Sequence, residues 1–265
     1  MIPKYLLDGY SRAVADLFLN RWQNYENPGK LAQDIVECEK CPRLRAYAKI
    51  AARNRPKRFA DWIYWGKPVP GFGDLNARVL IIGLAPASSG ALRTGRIFTG
   101  DASSRFLVRA LHSAGFANQA ISESVEDGLE YTDCYLTAAV KCAPPGDKPT
   151  GEEFDNCSPY LDAEISLLRN LKVVLALGSM AFRAYVEHLT KSGVEVGRTK
   201  FAHGVVYRFP RMPALYASYH PSPRNTNTGK LTPAMLLDVL TRIKGELGPV
   251  EHISGPTRRP LGPVA

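Results

Sequence analysis

Long apolar runs are missing from this chain. The longest apolar runs, such as Val79 to Leu84, are far short of the ~18 residues needed to cross a bilayer. The start, MIPKYLLDGYSR, lacks an apolar core followed by a small-residue cleavage site. A cytoplasmic protein without membrane contact is expected. Cysteine is scarce, with five in 265 residues, which for a cytoplasmic chain argues against a disulfide framework. No G-x-G-x-x-G or G-x-x-x-x-G-K-[ST] follows an apolar run, which disfavours a nucleotide-binding α/β enzyme. Acids are outnumbered, 25 Asp+Glu against 34 Lys+Arg, for a net charge of +9. Residues 43 to 58 carry seven Arg or Lys and no acid. A surplus of this kind favours a polyanionic partner.

What is present is ample core material, 45% of residues being hydrophobic, arranged in alternation. Residues 5 to 25 place Leu7, Val14, Leu17, Phe18 and Trp22 near helical spacing, suggesting an amphipathic helix. Short apolar runs at Arg78 to Leu84, Cys134 to Val140, Val173 to Gly178 and Ala214 to Tyr219 read as buried strands. Helical patterns lie between and after them, over 102–114, 150–170, 179–188 and 232–247. In the second, Thr150 and Glu153 form a capping box, and Ser158-Pro159 suggests a new helical start or a kink. The expected fold is α/β, a three-layer α/β/α sandwich around a central, mostly parallel four-stranded sheet, with ligands bound beyond the C-terminal strand ends. One domain over 1–250 is expected, followed by a disordered tail over 251–265 that is Pro/Gly-rich from Gly255.

Cys38 and Cys41 form a C-x2-C pair followed by Pro42. Cys142 follows a predicted strand and Cys157 lies on the buried stripe of the next helix. Four thiolates can close around zinc or an iron–sulfur cluster, and ligand type does not separate the two. Cys134, inside a strand, is the remaining one and is expected in packing.

Each strand is followed by an unusual polar or Gly/Pro-rich segment. YWGKPVPGFGD (Tyr64 to Asp74), GLAPASSGALRTGRIFTGDAS (Gly83 to Ser103), AAVKCAPPGDKPT (Ala138 to Thr150) and HPSPRNTNTGKLT (His220 to Thr232) together resemble the family 5 uracil-DNA glycosylases. The resemblance covers roughly residues 35 to 245, with the motifs in order. It implies a monofunctional DNA repair glycosylase that flips out uracil and hydrolyses its N-glycosidic bond. The implied partner is uracil-containing DNA, with abasic DNA as product, and a monomer is expected. It further implies a [4Fe–4S] cluster held by Cys38, Cys41, Cys142 and Cys157.

By the same resemblance Phe98 stacks the base, His220 hydrogen-bonds uracil O2, and Gly83, Leu84 and Ala85 line the pocket. The residue types agree, because an extruded base needs a stacking partner and donors aimed at the charge that develops on it. Arg93, Arg96, Ser222, Arg224 and Asn225 are expected to contact DNA, mostly its phosphates. The resemblance is incomplete. Where related enzymes keep a water-activating polar residue, this chain has Leu84-Ala85-Pro86. Asp101 and Asp147 then become the carboxylates expected to assist hydrolysis, and Asp147 stands where the family commonly has Asn. Leu92 replaces a commonly polar residue. Asp101 has a second reading, as the cap of the following helix. Loss of a discriminating acid at Ala85 suggests breadth toward other deaminated bases. The competing function is a cluster- or zinc-stabilised DNA-binding protein without catalysis, recognised by salt-sensitive binding and no released base.

Overall fold

The computed structural model describes residues 27–248. The expected helix at 5–25 and the tail at 251–265 lie outside the described residues. Four five-residue strands form the centre: β2 (Val79–Gly83), β3 (Cys134–Ala138), β4 (Val173–Leu177) and β6 (Ala214–Ser218). All are fully buried and pair in parallel, as their near-continuous apolar sequences require when helices cover both faces.

The sheet has six strands rather than the expected four. Two-residue strands β1 (Phe72–Gly73) and β5 (Val206–Tyr207) close its edges antiparallel, giving the order β1-β3-β2-β4-β6-β5. Two-residue pairings leave no period to read in sequence, which is why these edges escaped prediction.

Alternate strand residues face opposite layers. Val79, Ile81, Leu136 and Leu175 pack against the helices Ala102–Ser113 and Pro233–Leu247. Leu80, Ile82, Val174 and Ala176 pack against Gly151–Leu167 and Ser179–Lys191. The helix from Gly151 runs unbroken through Pro159 to Leu167, and Ser158 donates to the Asp155 carbonyl within it. No second helical start occurs there. Among the described residues, two α-helices precede the sheet, Pro28–Val36 and Pro42–Arg53, so part of the basic segment is helical.

One buried ion pair joins these layers. Lys141 Nζ, just past β3, donates to Glu164 Oε2 at 2.6 Å, to Thr137 Oγ1 at 2.6 Å and to the Ala138 carbonyl at 2.8 Å. Glu164 Oε1 accepts from the Gly71 amide at 2.9 Å. Both side chains are about 1% exposed, and such a pair is tolerable only because its hydrogen bonds are so fully met. It fixes the segment after β3 against the helix that carries Cys157. Among the described residues, no helix is long and apolar enough to cross a membrane.

Candidate active site

The strand ends converge on a small constellation. Phe98 adopts a left-handed backbone, φ 50°, a conformation that disfavours a bulky L-residue. The twist lays its ring over the end of β2. A Cβ on Gly83 would lie 2.7 Å from Phe98 Cζ, so only glycine admits the ring this close. The Phe98 ring is buried at 8% exposure, and it lies 6.5 Å from the His220 ring at 32°, at the C-terminal edge of the sheet.

His220 follows β6 and is gripped through its backbone. Its carbonyl accepts from Asn225 Nδ2 at 2.8 Å. Gly178, at the end of β4, faces the His220 Cβ, and its amide donates to the Ser218 carbonyl at 2.8 Å. Burial lowers the His220 pKa to about 4, against a smaller opposing pull from the Asp147 carboxylate. Asp147 itself is exposed in a short turn at Pro145–Asp147, with φ 56°. Its carboxylate lies close enough to His220 to bias the imidazole.

Leu84 and Ala85 are half-buried between these parts. The Gly83 and Leu84 carbonyls accept from the amides of Ala139 and Val140, each at 3.0 Å, tying the pocket segment to the end of β3. Leu92 does not take the part of a polar pocket residue. It is fully buried with Ala48 and Ala143, filling the gap between the basic helix and the loop after β3.

Three expected site residues serve the scaffold instead. Asp101 caps the helix at 102–113: its Oδ1 accepts from the Ser104 amide at 2.8 Å, and Ser104 Oγ accepts from the Asp101 amide at 3.0 Å. Burial raises its pKa, and the place its other oxygen occupies is open only because Gly90 lacks a side chain.

Arg93 and Arg96, expected at the DNA surface, are buried at 2% and 5% exposure. Arg96 pairs with Asp127 at 2.7 Å and bonds Thr99 and Ser122. Arg93 lies under the Phe59 and Trp62 rings, at 4.2 and 3.9 Å, and donates to the carbonyls of Ser89 and Gly100. A guanidinium held in this way is not presented to a phosphate. Sequence position in a motif loop could not distinguish an inward from an outward arginine.

The basic segment is likewise divided. Arg43 forms a bidentate pair with Glu153, Arg45 pairs with Glu39, and Arg55 donates to the carbonyls of Ala52, Ala60 and Trp62. Lys49, Arg53, Lys57 and Arg58 are exposed. Beyond His220, Ser222, Arg224 and Asn225 line an open cavity of about 500 Å³. Thr228 and Lys230 complete its lining. Sequence reading had missed both, although each lies within the quoted motif His220 to Thr232.

Three of the thiols gather at one place. Cys41, Cys142 and Cys157 form a buried cluster with Leu44 and Val140, and Ala85 of the pocket segment packs on it. Cys38 lies within electrostatic reach of Cys142 and Cys157. Burial pushes the Cys142 thiol up to about 12 and that of Cys157 up to about 11. Two sulfurs already accept N–H donors: Cys157 Sγ from the Lys141 amide at 3.4 Å and Cys41 Sγ from Asn156 Nδ2 at 3.7 Å. Among the described residues, no group of three or more His, Cys, Asp or Glu side chains could hold a single metal ion. Cys134 lies apart, buried in β3 with its thiol toward the Phe116 carbonyl.

The α/β fold agrees with comparisons to known proteins. The profile of the uracil DNA glycosylase superfamily matches residues 70–244, and the chain belongs to this superfamily. It is 46% identical over 214 residues to the type-5 uracil-DNA glycosylase of Pyrobaculum aerophilum, covering 81% of this chain and 91% of that protein. Against the type-5 uracil-DNA glycosylase of Thermus thermophilus it is 44% identical over 212 residues, 80% of this chain and 94% of that protein. Similarity extends more weakly to the type-4 uracil-DNA glycosylase of Pyrobaculum aerophilum, 32% identical over 172 residues, 64% of this chain and 70% of that protein.

The depressed His220 pKa has a signed consequence. Between pH about 6.5 and about 4 the imidazole is neutral in the fold but protonated in the unfolded chain. Its contribution to stability is therefore complete above that window and falls as pH drops through it. Titration followed by NMR should place the His220 transition near 4; a value at or above 6.5 would contradict this environment.

Proposed function

We propose that the protein excises uracil from DNA, hydrolysing the N-glycosidic bond to leave an abasic site. The observation that carries this reading is the placement of Phe98, in a left-handed conformation against Gly83 and beside His220. A base extruded from the duplex stacks on the Phe98 ring, where its edge meets the pocket backbone and the imidazole. Family membership and the type-5 relatives support the choice of uracil.

His220 is neutral at physiological pH, so it acts as a donor and not as a cation. An N–H aimed at uracil O2 stabilises the charge that grows there as the glycosidic bond lengthens. Leu84-Ala85-Pro86 supplies no general base. Bond cleavage accordingly runs ahead of water attack, through a loose state with positive charge on the sugar. Asp147, close enough to bias His220, is the carboxylate positioned to assist that charge or the incoming water. Asp101 is committed to its helix cap and takes no such part. Ala85 leaves the pocket without a selective acid, which suits a wider range of deaminated bases. The cavity carrying Ser222, Arg224 and Lys230 is suited to phosphates. The exposed Lys49, Arg53, Lys57 and Arg58 extend the basic surface.

The four cysteines fit a [4Fe–4S] cluster on the chemistry of the donor set: free thiols, three of them buried together with Cys38 within electrostatic reach, and N–H donors to two of the sulfurs. Bound there, the cluster would supply a structural brace. Cys38 and Cys41 would be tied to Cys142 and Cys157, holding the basic helix and the Ala85 segment together.

Two measurements test these readings. A uracil-containing duplex incubated with the protein and then treated with alkali should break at the uracil, and His220→Ala should reduce the rate by about 100-fold or more. Binding without strand breakage would favour the non-catalytic alternative; near-native excision by His220→Ala would remove the role given to the imidazole. The same assay with hypoxanthine and xanthine measures breadth, and cleavage confined to uracil would contradict the unselective pocket. Purified protein should be brown, with iron and acid-labile sulfide at about four each per chain. Cys142→Ser should lose both, whereas colourless protein containing zinc would overturn the cluster assignment.

A further inference from the structure

His203 lies outside every motif used above, in the loop before β5. Its Nδ1 is 3.3 Å from the Tyr219 amide nitrogen, which donates to it, and 3.3 Å from Ser218 Oγ. The ring stacks on that of Tyr219, with centroids 5.2 Å apart and planes 23° apart. Because Nδ1 accepts the Tyr219 N–H, the ring is held as the neutral tautomer protonated at Nε2.

The contact falls one residue before His220. From the opposite direction, Asn225 Nδ2 holds the His220 carbonyl at 2.8 Å. Tyr219 is further confined by Phe201, at 6.1 Å between rings, and by Lys230 Nζ, 4.7 Å from its centroid. The peptide that launches His220 from the end of β6 is therefore fixed on both sides, by an imidazole upstream and a carboxamide downstream. A displacement of about 1 Å at a reacting group is enough to cost two orders of magnitude in rate.

We propose that His203 is a positioning residue, holding the Tyr219 amide so that the His220 imidazole is presented to the departing base. This rests on the role given to His220 above. His203 touches neither base nor DNA in this account, so it should affect kcat and not substrate affinity.

His203→Phe keeps a ring for stacking and removes the acceptor; His203→Asn removes the ring but can return an acceptor near Nδ1. His203→Phe should lower kcat about tenfold, the worth of one such hydrogen bond, with the Kd for uracil-containing duplex unchanged. His203→Asn should recover most of the loss. In a His220→Ala background, His203→Phe should cost nothing more. The proposal is overturned if folded His203→Phe keeps full kcat, if Phe and Asn variants fall equally, if Kd weakens as much as kcat falls, or if the loss persists without His220. Should His203→Phe not fold, nitrogen NMR of the unsubstituted protein decides: protonation at Nε2 supports the proposal and protonation at Nδ1 overturns it. A silent His220→Ala, by contrast, would count against the base-holding role itself, whatever His203 does.

Discussion

The site is built on one steric constraint, the approach of the Phe98 ring to a backbone that carries no side chain. Gly83 ends a buried strand, and the ring occupies the space its Cβ would need. Holding phenylalanine at φ 50° costs roughly 1–3 kcal/mol, so the surrounding structure must over-determine it. Ser122 Oγ donates to the Phe98 carbonyl, and Arg96, Thr99 and Ser122 interlock behind it with Asp127. Arg93 ties the Gly100 carbonyl on the other flank, beneath two aromatic rings. The arginines of this loop are inside because the loop's shape depends on them.

A second constraint reaches the same pocket from the cysteines. Ala85 packs directly on the buried thiols, and the helix that begins after Cys41 carries the exposed Lys49 and Arg53. Arg43 bridges to Glu153 at the start of the helix that carries Cys157, so protein contacts alone already draw the two cysteine-bearing segments together. Lys141, between β3 and Cys142, adds its buried pairing with Glu164 and its amide donation to Cys157. The Phe98–His220 site, the basic helix and the buried thiols are thus parts of one packed unit rather than separate modules.

The alternating apolar runs made the four central strands and the helices around them legible, because fully buried parallel strands leave a continuous hydrophobic signature. The same signature was silent at Phe72–Gly73 and Val206–Tyr207, whose pairing depends on neighbours distant in sequence. Phe98, Gly83, Asp147 and His220 were legible as a group through motif order, and the fold brings them together. Charge was the least legible property. Arg93 and Arg96 looked like surface contacts until their partners, at Gly100 and Asp127, were in place. Asp101 followed a local rule, the N-cap, and that rule prevailed over its motif position. His203 had no motif to mark it, since its significance arises only from the loop that sets it against Tyr219.

The most direct test of the account is a crystal structure of the protein with uracil and abasic DNA bound together. The account predicts the uracil ring stacked on Phe98, with O2 within hydrogen-bonding distance of a His220 ring nitrogen and the abasic strand crossing the cavity formed with Ser222, Arg224 and Lys230. Uracil bound elsewhere, or Phe98 turned away from Gly83 with the base present, would contradict it.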